Sequence, residues 1–154
     1  MRNPPSRDDP DGRIAELFAR EVPEIASGVV EIKALARNPG SRTRIAVTSH
    51  DPTVDALSAC VGHKGSHVQR ISALLGERID IITWFGPEER RVKLALSPAR
   101  VLGVELHPDK RRAIVVVPED QYRLAMGRHG EDRDLASRLS GWDITIMVDT
   151  SDNA

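Results

Sequence analysis

"ACVGHKGSHVQRI", residues 59–71, sets two glycines three positions apart around His63 and Lys64. Before it, Val54, Leu57 and Val61 fall at helical spacing; after it, Val68, Ile71, Leu74 and Leu75 do the same. The pattern predicts helix, tight loop, helix. Two helices meeting at such a turn leave the first backbone N–H groups of the second without helical partners. Glycines carry no Cβ there, so a phosphate can approach the main chain closely. Gly62–Gly65 is therefore either a bare connector or a backbone cradle for phosphate with Lys64 at its tip. Two copies of the pattern favour the cradle.

The second copy lies in "AMGRHGEDRDLASRLSGWDITI", residues 125–146. Gly62 and Gly127 are separated by 127 − 62 = 65 positions, and the same offset relates Gly65 to Gly130, Leu74 to Leu139 and Gly76 to Gly141. It also relates Ile79 to Ile144 and Ile81 to Ile146. A shared offset of this kind marks two copies of one supersecondary unit.

Each copy reads in one order: helix, strand, strand, helix, helix, strand. In the first, Ile14, Leu17 and Phe18 mark a helix that Pro23 is expected to end. "VVEIKALAR" alternates as a strand with Val30, Ile32, Ala34 and Ala36 on one face. Asn38-Pro39-Gly40-Ser41 fits a turn into the returning strand "RTRIAVTSH". The two helices around the loop follow, Gly76 closes the second, and "RIDIITW" is the last strand. In the second copy the expected elements are a helix over 88–97, strands over 101–107 and 112–117 joined by "HPDK", helices over 119–126 and 131–140, and the strand "WDITIMV". The domain boundaries expected are 13–85 and 86–148, with flexible tails at 1–12 and 149–154.

Composition narrows the function. Hydrophobic residues make up 40% and charged residues 29%, as in a soluble globular protein. The net charge of −1 identifies no partner, so a nucleic-acid surface has to be local. No apolar run reaches membrane-spanning length and the start MRNPPSRDDP has no signal-peptide core, which gives a cytoplasmic expectation without membrane partners. The single cysteine, Cys60, excludes an internal disulfide and a multi-thiolate zinc site. Cys60 beside His63 and His67 is read as a buried thiol on the apolar side of its helix, not as a nucleophile or ligand. No paired carboxylates, ligand cluster or activated nucleophile appears, so neither enzyme activity nor a cofactor is expected.

Helix, Gly-x-x-G, helix beside a three-stranded sheet resembles the KH module, whose glycine loop clamps about four nucleotides. More specifically, "EVPEI", "VEIKALARNPGSRTRIAV", "ACVGHKGSHVQRI", "GERIDII", "LSPARV" and "AMGRHGEDRDLASRLSGW" resemble the tandem KH region of the NusA family of bacterial transcription factors over about residues 16–148. The resemblance implies an α+β fold of two type II KH domains, and single-stranded RNA binding in transcription elongation, termination or antitermination. RNA polymerase or other transcription factors are the further partners it suggests. Family members also carry an N-terminal polymerase-binding domain and an OB-fold, for which 154 residues leave no room, so a minimal two-KH architecture is expected.

The RNA-binding residues expected are Val61, Gly62, His63, Lys64, Gly65, His67, Arg70 and Ile71 in the first copy, and Gly127, Arg128, His129 and Gly130 in the second. Val61 and Ile71 are read as groove floor. Trp84 and Trp142 are read as packing the sheet, and the Arg90-Arg91-Lys93 and Lys110-Arg111-Arg112 clusters as solvated faces or an extended RNA track. Where family members have an amide pair, Val and Arg after the second loop, this chain has Glu131, Asp132, Arg133 and Asp134. Lys64 and Arg70 give the first loop two positive charges, whereas Arg128, Arg133 and Arg138 are cancelled by Glu131, Asp132 and Asp134. Counted this way, the first loop is the stronger anion site, with the acids of the second serving the helix dipole. The competing reading is a protein-interaction adaptor that keeps the KH fold with weak or no RNA binding.

Overall fold

The computed structural model describes residues 8, 9 and 12–150. The chain divides into two compact units at Trp84/Phe85.

In the first unit, α1 (Arg13–Glu21) and α2 (Pro23–Ala26) precede the hairpin β1 (Val30–Asn38) and β2 (Arg42–Ser49). Then come α3 (Ala56–Val61), the glycine loop, α4 (Ser66–Leu75) and β3 (Arg78–Thr83). β1 and β2 are antiparallel and β2 and β3 parallel, with β2 central. The parallel pair follows from the α3–α4 crossover, since a parallel connection needs a segment long enough to return to the same end. Ile14, Phe18, Val22, Val30, Ile32, Leu35, Ile45, Val47, Cys60, Ile71 and Ile79 form the core between helices and sheet. The hairpin turn is as expected, with Gly40 at φ 77° and Ser41 N–H donating to Asn38 O at 3.0 Å.

Local expectations fail in four places, each for a physical reason. Pro23 opens α2 at its first position instead of merely ending α1. The break belongs to Val22, held extended by the proline that follows it. A bulge at Lys33 shifts the β1 register, so Leu35 takes the core place that strict alternation gives Ala34. Leu74 is 57% exposed although its counterpart Leu139 is 5% exposed, so a shared offset does not guarantee a shared environment. Residues 8 and 9 fall within the expected tail, yet both are tied in. Asp9 accepts from the N–H groups of Ile14 (3.1 Å) and Ala15 (3.2 Å), capping α1, and Asp8 accepts from Arg37 N–H at 3.4 Å. Residues 1–7, 10 and 11 of that tail, and 151–154 of the other, lie outside the described residues.

The second unit repeats the plan with α5 (Glu88–Ala95), β4 (Gly103–His107), β5 (Arg112–Pro118), α6 (Tyr122–Met126), α7 (Glu131–Ser140) and β6 (Asp143–Asp149). β4 and β5 are antiparallel and β5 and β6 parallel. Ala113, Val115 and Val117 alternate inward along β5 to meet Leu135, Ala136 and Ile144 in the buried interior. Arg111 lies 4.0 Å over the Trp142 ring and donates to Gly141 O, so this member of the basic cluster is bound to its own fold. Both tryptophans are buried. Among the described residues, no helix is long and apolar enough to cross a membrane.

Candidate nucleic-acid interface

The two glycine loops are built alike, residue for residue. Gly62 has φ 81°, ψ 170° and Gly127 φ 74°, ψ 179°, an extended left-sided conformation open essentially to glycine alone. Lys64 (φ 54°) and His129 (φ 57°) are left-handed, as are Gly65 (φ 77°) and Gly130 (φ 75°). Gly65 N–H donates to Gly62 O at 3.1 Å, and Gly130 N–H to Gly127 O at 3.2 Å. Each loop ends one short helix and starts a ten-residue one. The tip side chains, His63 and Lys64 in one and Arg128 and His129 in the other, are exposed. Among the described residues, none of the four makes a side-chain hydrogen bond or ion pair.

What lies beneath the loops differs. A Cβ on Gly62 would sit 2.6 Å from Cγ and 2.9 Å from the backbone N of His67. His67 is half-buried and its Nδ1 is 3.1 Å from Ala59 O; a carbonyl only accepts, so that nitrogen carries the proton. His67 thus braces the loop from below. At the offset of 65 stands Asp132, whose Cγ and Oδ2 would be 2.5 Å from a Cβ on Gly127. Asp132 is 6% exposed, so the second loop rests on a carboxylate where the first rests on an imidazole.

Several of the residues expected at the interface are therefore placed otherwise. Ile71 is wholly buried in the core and presents no surface to a base; Val61 is half-buried at the end of α3. Arg70 reaches Glu21 on α1, with Nη1 3.1 Å from Oε2. The charge count around the second loop also changes in three dimensions. Arg138 pairs with Asp134 at 3.2 Å, Arg133 donates to Ile144 O at 3.0 Å and lies 3.8 Å from Asp143, and Asp132 is interior. Arg133 and Arg138 are engaged within the fold, whereas Asp132 stays directly beneath the loop. The free cations beside the loops are Lys64 in the first, and Arg128 with Arg123 on α6 in the second. Arg123 and Arg128 bring positive charge to the second loop, and the Asp132 carboxylate beneath it opposes them.

Cys60 is buried, and burial pushes its thiol up to about 12, with Glu24 adding to the effect; it is not a nucleophile at neutral pH. Two features escaped sequence reading. Glu77, 4% exposed, takes a bidentate fork from Arg37 (2.6 and 2.9 Å) together with Thr43 Oγ1–H (2.7 Å) and Gly40 N–H (3.0 Å). These partners lie far away in the chain, and no local pattern announces them. Asp132 was legible in principle, because the repeat offset aligns it with His67.

A three-stranded mixed sheet carrying a helix, Gly-x-x-G, helix unit, present twice, defines a tandem KH protein of type II. Comparison with known proteins narrows this. Residues 10–84 match the NusA-like first KH domain and residues 88–154 the NusA-like second KH domain. The chain belongs to the NusA-like KH family. It is 51% identical over 132 residues to the transcription termination/antitermination protein NusA of Thermus thermophilus, a stretch covering 85% of this chain and 34% of that protein. It is 44% identical over 140 residues to the protein of the same description from Bacillus subtilis, covering 90% and 38%. The chain thus spans little more than a third of the length of these relatives. A solved structure described as "Crystal structure of APE1850" matches with a TM-score of 0.65 at 17% identity, covering 89% of this chain and 96% of that one; it shares the fold.

Proposed function

We propose that this chain binds single-stranded RNA in transcription termination or antitermination. The observation that carries the reading is the pair of loops with one backbone geometry, each opening a helix and each bearing an exposed cation, Lys64 or Arg128, with no ion-pair partner among the described residues. Gly62–Gly65 and Gly127–Gly130 would hold the sugar-phosphate chain, with Lys64 and Arg128 opposite phosphates and His63 and His129 beside them. His67, Arg70 and Ile71 support the first loop and its helix instead of touching RNA. The relatives, both transcription termination/antitermination proteins, supply the transcriptional setting.

Titration with a random pool of single-stranded oligoribonucleotides tests the proposal. The wild type should bind, and replacing His63 and Lys64 together by Asp should weaken binding strongly while the thermal midpoint holds, since both side chains are exposed. No binding by the wild type would leave the adaptor reading in its place.

A further inference from the structure

The second unit has an aromatic residue on the short helix before its loop that the first unit does not. Tyr122, the only tyrosine in the chain, opens α6 and is 37% exposed. Its counterpart at the offset of 65 is Leu57. Its hydroxyl has no hydrogen-bond partner among the described residues. Tyr122 and Met126 are four apart on the helix and share a face. Met126 in turn runs under the loop: its Cε would be 3.7 Å from a Cβ on Gly130. Tyr122 thus lies one turn back along the face of α6 whose Met126 reaches the glycine loop. Arg123 and Arg128, both exposed and unpaired, supply positive charge next to it. An exposed aromatic ring and free arginines beside a backbone loop suit a ligand with flat apolar faces strung on a polyanion.

We propose that Tyr122 is a base-stacking residue of the second unit, so that this unit holds RNA by stacking as well as by charge, whereas the first unit relies on charge and backbone contacts. This rests on the RNA-binding reading above. It makes the second loop a full partner, contrary to the expectation from charge counting, and gives it a preference for strands whose bases are unpaired and free to stack.

The test uses the full chain and a single-stranded oligoribonucleotide of roughly ten nucleotides, long enough for two clamps of about four nucleotides. Tyr122→Phe should bind within about twofold of wild type, because the ring is kept. Tyr122→Leu, which copies the first unit, and Tyr122→Ala should each bind at least about fivefold more weakly, the lower end of what losing one stacked base costs. An abasic oligonucleotide of equal length should bind wild type and Tyr122→Leu equally. If Tyr122→Leu binds the normal oligonucleotide like wild type while Lys64→Asp still weakens it, stacking is overturned and RNA binding survives. If wild type binds no RNA, both fall. The Tyr122→Phe and Tyr122→Leu pair decides the matter even if Tyr122→Ala fails to fold.

Discussion

Lys64 occupies a left-handed backbone position that costs a non-glycine residue about 1 kcal/mol or more. A side chain kept there serves its chemistry, not the turn. Lys64→Gly should therefore leave the fold as stable as wild type, or up to about 1 kcal/mol more stable, while losing RNA affinity. Thermal melts and a titration on the same sample check both halves. The flanking glycines behave oppositely. Gly62→Ala and Gly127→Ala meet His67 and Asp132 at 2.6 and 2.5 Å in a backbone region that only glycine visits readily. Each should cost about 2–3 kcal/mol in denaturant unfolding, from steric conflict added to backbone strain. Wild-type stability in either variant would mean the loop is looser than its geometry indicates.

Among the elements, the β1–β2 hairpin and the start of β3 are joined by one buried carboxylate. Burial alone would push the Glu77 carboxyl up, but Arg37, Thr43 and the Gly40 N–H outweigh it and hold it down at about 2. An unfolded-state glutamate titrates in the ordinary range, so the unfolded chain binds the proton more readily. The stabilisation is present above that range and is lost as pH falls from about 4.5 towards 2. It amounts to about 3 kcal/mol. Glu77→Gln should remove this contribution to the acid-dependent loss in stability, leaving a shallower pH dependence over that window, and should also be less stable than wild type at pH 7. Chemical denaturation at a series of pH values follows both effects; a parallel pH dependence in wild type and variant would refute the role given to Glu77. The elements themselves were legible from sequence because apolar spacing and turn chemistry are local. Gly76 and Gly141 cap their helices in the left-handed conformation, and Gly40 takes the positive φ of its turn. The bulge at Lys33 was not legible, because it depends on how two strands align and not on either strand alone.

Across the chain, the repeat at an offset of 65 revealed both units and both loops from sequence, since identical backbone demands call for glycine at identical places. The offset says nothing about where charges point. Arg70, Arg133, Arg138 and Asp134 all sit near a loop in sequence and are engaged elsewhere in space. Lys64 and Arg128 are the loop residues with lasting positive charge, and the claim is that both face RNA phosphate. The salt dependence of binding to one single-stranded RNA measures this directly, using wild type, Lys64→Gln, Arg128→Gln and the double variant. Each single substitution should make the slope of log affinity against log salt shallower by about 0.7, and the double by about twice that. If the slope is unchanged in either single variant, that loop does not neutralise a phosphate and the two units are not equivalent clamps.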